Sequence, residues 1–221
     1  MESNGDLFWS SLGPIVLGGI TGTIPLAVVS FILGLAIALG IALMRLSKVR
    51  VVSAIARFYI SVIRGTPLLV QLFVIFYGLP SIGVVLPAWP CAVIAFSLNV
   101  GGYAAEVIRA AILSVPRGQW EAGYTVGMSS TTTLRRIILP QAARVSVPPL
   151  SNTFISLVKD TSLASLITVT ELFRVAQEVA AFSQEFMLLY LEAAAVYWII
   201  CLVLSTAQGR IEQRLDRYVA H

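Results

Sequence analysis

The sequence predicts an all-α membrane protein with about five transmembrane helices, one every 20 residues or so of apolar chain. Three observations lead there. Apolar residues make up 57% of the 221 positions and charged residues only 12%, where a soluble domain carries roughly 25% charged residues. The apolar residues gather into runs long enough for helices of about 20 residues. Segments of about 10 residues with alternating polarity are absent, which argues against a membrane barrel.

The first expected span covers residues 14–44. It holds Gly18, Gly19, Gly22, Pro25, Gly34 and Gly40, which membrane helices accept where neighbours pack closely. Arg45, Lys48, Arg50 and Arg57 follow. A second span begins near Val52 or Phe58 and ends near Gly78. Arg64-Gly65-Thr66-Pro67 sits inside it and predicts a break or kink. The loop at 79–87 has no charge. The third span, 88–113, places Asn99, Tyr103 and Glu106 at i, i+4 and i+7, with Arg109 three residues on, as one polar stripe.

Residues 116–140 are the longest polar interruption in the C-terminal two-thirds. Glu121 to Val126 reads as a short helix, and Gly127 as its left-handed end. Ser129 and Ser130 are candidate N-caps for a second helix that ends before Pro140. This helix-turn-helix suits either a protein-docking surface or a plain connector. The fourth span, 141–165, carries Asn152, Ser156, Lys159 and Asp160 at helical spacing. Thr168 to Glu171 matches a capping box, followed by an amphipathic surface helix to about Ser183. The last span is 186–206, and a basic tail, 208–221, carries Arg210, Arg214 and Arg217.

One set of loops, 45–57, 117, 135–136 and the tail, holds most of the positive loop residues, while the opposite set has the N-terminus, the loop at 79–87 and the segment with Arg174. The positive-inside rule makes the first set cytoplasmic, with the N-terminus outside and the C-terminus inside. One membrane domain, 1–221, is expected, with a cytoplasmic loop at 114–140. No cleavable signal peptide is expected, because no Lys or Arg precedes the first apolar run. Cys91 and Cys201 lie in apolar runs and read as packing residues. The only histidine is His221, so no metal site is expected. There is no GxxxxGK[ST] loop and no Gly-x-Ser-x-Gly elbow. The chain is expected to be no enzyme and to hydrolyse no ATP itself.

Ionisable groups at membrane depth face protein or water by default. Glu106 and Arg109 are able to pair, either in a solute path or as a brace. Lys159 and Asp160 are adjacent and cannot face one another. Thr161 and Ser162 compete with helical hydrogen bonds, so the span is expected to end there, beside a cavity suited to a zwitterion. The other reading has Lys159 snorkelling at the outer interface and Asp160 capping the next helix.

Glu121-Ala122-Gly123, three residues, Gly127, nine residues, Ile137, one residue, Leu139-Pro140 resembles the EAA signature of bacterial ABC-importer permeases, with Gly123 where Ala is usual. Arg64 to Gln71 and Leu157 to Leu163 resemble the polar amino-acid branch of that family. Ala56 to Ser61, Gly118 to Ala122 and Pro148 to Asn152 are most similar to cystine permeases. The resemblance implies a type I importer architecture. A second permease subunit, identical or paralogous, completes the pore. Two ABC ATPase subunits, which hold the ATP and Mg, dock on the cytoplasmic loops. An extracytoplasmic amino-acid-binding protein lands near residues 171–183. The implied setting is a bacterial cytoplasmic membrane, with lipid but no nucleic acid as a further partner. It also implies coupling through Glu121, Ala122, Gly127, Leu139 and Pro140. The pore or solute residues would be Asn99, Tyr103, Glu106, Arg109, Lys159, Asp160, Thr161 and Ser162. Cystine is the favoured solute, with glutamine, arginine, histidine or glutamate as alternatives. An ion-coupled carrier or channel, or a scaffold without transport, remains open on the residues alone.

Overall fold

In the computed structural model residues 4–216 are described, with side chains over 5–214. Arg217 and His221 lie outside the described residues. Every regular element among those residues is helical. The chain starts with α1 (Asn4–Gly18) and α2 (Ile24–Leu46), joined by a π-turn at Gly19–Thr23. Together they make a continuous apolar helix over Gly5–Leu46, which begins well before the expected residue 14. Next come α3 (Arg50–Gly65), α4 (Leu68–Phe73) and α5 (Leu79–Ser81), then α6 (Ala88–Ser114). The polar loop holds α7 (Arg117–Thr125) and α8 (Ser130–Thr133), and leads into α9 (Leu139–Asp160). A 3₁₀ stretch, Thr161–Ile167, precedes α10 (Leu172–Ser183) and α11 (Phe186–Asp216).

Among the described residues, three helices are long and apolar enough to cross a membrane: Gly5–Leu46, Ala88–Ser114 and Phe186–Arg214. The pair α3 with α4–α5 makes a fourth if counted as one broken span, bent by 106°. The break falls at the expected Arg64–Pro67 segment. Thr66 is extended, φ −124° and ψ 146°, as a residue before proline prefers. The expected fourth span is α9, which forms but is less apolar than the others. The expected tail differs too: the last helix continues to Asp216.

Pro14, Pro148 and Pro149 lie inside α1 and α9, and three further prolines do not end helices where a sequence rule has them do so. Each sits two residues beyond a π-turn: Gly19–Thr23 before Pro25, Val74–Gly78 before Pro80, Leu134–Ile138 before Pro140. Proline has no N–H, and its ring clashes with the carbonyl four residues back. Widening the preceding turn relieves both, and lipid demands that the backbone be satisfied internally. Thus the Leu139 N–H donates to Leu134 O, and α8 runs through Pro140 into α9 without a break. The expectation that this helix stops before Pro140 is corrected on that ground.

Among the described residues two cores hold the helices within the bundle, and a third cluster lies under the polar loop. The larger joins α2, α4, α6, α9 and the 3₁₀ stretch, through Leu26, Leu72, Phe96, Leu157 and Ile167. Gly101 and Gly102 are what let α6 approach both neighbours. A Cβ at Gly101 would lie 2.7 Å from the Ile37 side chain and the Tyr59 hydroxyl, and one at Gly102 2.5 Å from Ile63. The smaller core joins α1, α10 and α11 through Ile15, Leu172, Ala176 and Leu189.

The capping box at Thr168–Glu171 is also corrected. Thr168 is left-handed, φ 65°, and closes the 3₁₀ stretch. Glu171 is itself the N-cap of α10: it accepts the Arg174 N–H at 2.7 Å. It is fully buried. It also accepts from the Tyr197 hydroxyl at 2.7 Å and the Thr23 hydroxyl at 3.3 Å. One carboxylate therefore ties α10 to the first and last helices.

Two stability outcomes follow. Gly101→Ala overpacks the α2–α6 contact, at a cost of about 1–3 kcal/mol. A lower thermal unfolding midpoint in detergent is the expected readout, and an unchanged one would show that α2 moves aside freely. Glu171→Ala strands three donors, each worth about 1–3 kcal/mol when buried unpaired. It should lower the midpoint more than Glu171→Gln, which keeps an acceptor oxygen.

Candidate functional site

Two regions concentrate the singled-out residues, and one helix joins them. In the polar loop, Gly127 has φ 77°, which an L side chain adopts only at a cost. The Met128 N–H donates to Gly123 O and the Gly127 N–H to Tyr124 O, both at 3.0 Å. That is the paired bonding of a Schellman end. Ser129 caps the next helix, accepting the Thr132 N–H at 3.3 Å. Gly123 has a reason to lack a side chain. A Cβ there would lie 2.6 Å from Thr133, which is buried. The turn is folded so tightly that alanine does not fit without movement.

Glu121, Ala122 and Gly127 are all exposed. Exposed Tyr124 and Val126 flank them. Leu139 instead packs into a cluster beneath the loop with Trp120, Leu134 and Ile137, around buried Ile112, Val115, Ile138 and Ala142. Pro140 lies within the continuous helix. Of the five expected coupling residues, Glu121, Ala122, Gly127 and Pro140 are exposed, and Leu139 belongs to the loop's anchorage.

The second region is a cavity of about 440 Å³. The α3–α4 break contributes Thr66, Pro67 and Leu68, α6 contributes Asn99, Val100 and Tyr103, and α9 contributes Asn152, Thr153, Ser156, Leu157 and Asp160. Gln71 holds the break in shape. Its amide nitrogen donates to Ile63 O at 2.8 Å and to Thr66 O at 3.1 Å, carbonyls the bend leaves without helical partners. Its amide oxygen accepts from Asn99 at 3.1 Å. Arg64 lies over the Tyr103 ring, 5.6 Å from its centroid.

The other expected solute residues are placed apart from this cavity. Glu106 pairs with Arg109 at 2.9 Å and with Arg45 from α2 at 3.4 Å. Lys159 is exposed and is not among the lining residues. Thr161 is buried and donates to Val158 O at 2.7 Å. Ser162 donates to Lys159 O at 2.7 Å. The helix does end at Asp160, as Thr161 and Ser162 suggest. Asn99, Tyr103 and Asp160 are thus brought together, while Glu106, Arg109, Lys159, Thr161 and Ser162 are not.

Sequence reasoning left Thr66, Gln71, Asn152, Thr153 and Ser156 out of the site. Asn152, Ser156 and Asp160 lie at i, i+4 and i+8, a stripe as regular as the one on α6. It also missed Glu192, 3% exposed in the last span, which accepts from the Ser11 hydroxyl at 2.7 Å. A partner 181 residues away leaves no local signal. No group of His, Cys, Asp and Glu among the described residues could hold a metal ion.

The chain is similar to known proteins over nearly its whole length. It is 62% identical, over 97% of its residues and 92% of the relative's, to the L-cystine transport system permease protein TcyB of Bacillus subtilis. It is 42% identical, over 93% and 91%, to the probable amino-acid ABC transporter permease protein YckA of the same organism. Among solved structures, an amino acid ABC transporter crystallised with histidines superposes with a TM-score of 0.87 at 34% identity, over 97% of this chain and 99% of that one. Residues 31–217 match the family described as binding-protein-dependent transport system inner membrane component. The fold is that of ABC transporter permeases, and this chain belongs to that inner-membrane family.

Proposed function

We propose that this chain is the permease subunit of an ATP-driven importer for a polar amino acid. Cystine is the first candidate solute, and glutamine, arginine, histidine or glutamate are the alternatives. One observation carries the reading above the others. The helix running unbroken from Ser130 to Asp160 has a solute-sized polar cavity at its far end and the exposed 121–127 turn at its near end. A volume of about 440 Å³ lies in the ~300–1,000 Å³ range of small-molecule pockets. The name of the 62% identical relative supports cystine as the first candidate.

The roles divide accordingly. Glu121, Ala122 and Gly127 meet a groove of a separate ATPase subunit, whose pair binds ATP and Mg. Leu139 fixes that turn to the bundle, and exposed Pro140 lies on the helix beside it. Asn99, Tyr103 and Asp160 meet the solute. The Arg45–Glu106–Arg109 cluster braces α2 against α6. A second permease subunit completes the pore, and an extracytoplasmic binding protein delivers solute beside α10. The positive loops put the N-terminus outside and the C-terminus in the cytoplasm.

The test is uptake of radiolabelled cystine into vesicles reconstituted with the cognate ATPase and binding protein. Uptake that needs ATP and ignores uncouplers supports the importer. Uptake that collapses with uncouplers and ignores ATP would mean an ion-coupled carrier. Failure of unlabelled cystine to compete, with another amino acid competing, changes the solute and leaves the importer standing. Glu121→Ala and Gly127→Val should leave insertion intact and lower transport by about tenfold, the effect of ~1.4 kcal/mol lost at a docking surface. Gly123→Ala should do the same through Thr133, and adding Thr133→Ser, which removes the nearest methyl, should restore part of it.

A further inference from the structure

One face of α9 bears the polar cavity. Another forms a separate groove of about 470 Å³ with α2 and α11. Phe31 and Leu35 line it from α2, Leu150 and Phe154 from α9, and Leu204 and Ile211 from α11. Phe31 and Phe154 meet edge to face, with 5.0 Å between ring centroids. The polar lining is Ser151 and Gln208, and the Gln208 amide nitrogen is engaged by Asn152 at 3.1 Å and Glu212 at 2.8 Å. The groove opens on the surface of the bundle, where its rim residues Ile32 and Ile211 are 61% and 49% exposed.

Two arginines stand just beyond the end of this groove that is nearer the polar loop. Arg144 precedes the lining residues Val147, Ser151 and Ile155 by three, seven and eleven positions, so it shares their face of α9. Arg214 follows Ile211 and Ala207 by three and seven positions on α11 and shares theirs. The two arginines are level. Gln208 donates to Pro148 O at 3.5 Å and to Asn152, which sets it opposite Leu150 on its antiparallel neighbour. Six residues on from each, toward the polar loop, lie Arg214 and Arg144. Both are exposed, and no described carboxylate is within 4.0 Å of either. Glu212 is turned about 160° around α11 from Arg214 and takes the Gln208 amide. Arg210, on the same edge of α11 and also exposed, reinforces the positive sign.

We infer that this groove holds one acyl chain of an anionic phospholipid, whose phosphate lies between Arg144 and Arg214. The inference rests on membership of an inner-membrane family and not on the identity of the solute. The dimensions are those of one leaflet: Arg144 to Ile155 is about 16 Å of helix, and half of a hydrocarbon core is about 15 Å. Guanidinium forks match phosphate oxygens, and basic positions between membrane helices favour anionic headgroups. A second copy of this chain fits the charges less well. Among the described residues its membrane-depth carboxylates are engaged: Glu106 by two arginines, Glu171 and Glu192 by buried hydroxyls, while Asp160 lines the cavity. A bound chain would also brace α2 and α11 beside Pro148 and Pro149, where α9 lacks two backbone donors.

The assay is native mass spectrometry of the full chain, purified in detergent with its co-purifying subunits and titrated with phosphatidylglycerol or with phosphatidylcholine of the same acyl chains. The first lipid bound per copy of this chain should be saturable, and phosphatidylglycerol should be preferred by about tenfold or more. Arg144→Gln and Arg214→Gln should each weaken phosphatidylglycerol about fivefold, the worth of one basic residue at an anionic surface, and leave phosphatidylcholine unchanged. Ala207→Trp, which fills the groove, should weaken both lipids alike. A wild-type protein that binds the two lipids equally, or without a saturable first site, overturns the inference with no variant needed. So does an Arg144→Gln, Arg214→Gln double variant that keeps the full preference. Lipid binding untouched by Ala207→Trp also overturns it, and if two copies of the chain then no longer associate, a second copy fills the groove instead.

Discussion

The helix from Ser130 to Asp160 spans about 45 Å at 1.5 Å per residue, and its continuity at the junction with the polar loop depends on one accommodation. Pro140 removes one backbone donor and crowds the carbonyl of Arg136. The π-turn at Leu134–Ile138 widens the helix just ahead of it, so the axis carries on instead of stopping. Without that turn the loop and the cavity would be built on separate elements. With it, the residue that caps the turn beyond α7, Ser129, and the residue that closes the cavity, Asp160, belong to one rod.

The cavity depends in the same way on satisfying a backbone that has been broken. A helix bent by 106° in an apolar setting leaves carbonyls unpaired, each worth several kcal/mol. Gln71 supplies the missing donor to Ile63 and Thr66 and then reaches Asn99 with its oxygen. A single amide therefore shapes the cavity floor and fixes the break to α6. A Glu at position 71 would present only acceptors to two carbonyls, so the amide is chemically specific to the job.

Much of this was legible in the sequence, and the failures have a common cause. The break at Arg64–Pro67, the left-handed Gly127, the stripe on α6 and the helix end at Asp160 all follow from local rules, and the structure shows each. Pro140 was misread because the stop rule knows only the α-helix and has no term for a wider turn. Glu171 was placed third in a capping box because the pattern fits. Its real partners, Thr23 and Tyr197, are distant in the chain and outcompete Thr168. Lys159 and Asp160 were both set beside a cavity because Thr161 and Ser162 end the helix there, with a snorkelling Lys159 as the other reading; Asp160 lines the cavity and Lys159 is exposed outside it. Arg64 was seen only as part of a motif. Nothing local says that it stacks on a tyrosine 39 positions later in the chain.

A π-turn is also a weak point, since its hydrogen bonds are poorer than those of an α-helix. The long helix could thus bend at 134–138 and disconnect the loop from the cavity. Packing decides against that. The cluster under the loop packs the turn itself, through Leu134, Ile137 and fully buried Ile138, and the helix after it, through Leu139 and Ala142. Bending there would uncover Ile138, worth about 1.5–3 kcal/mol on its own, and would part Trp120 from the helix start. Such packing suits the coupling proposed above, in which small displacements of α7 would be carried along α9 to the wall bearing Asn152, Ser156 and Asp160. The prolines at 148 and 149 do not undo this, because the Gln208 side chain, donating to Asn152 Oδ1 at 3.1 Å, holds that part of α9 to the last helix.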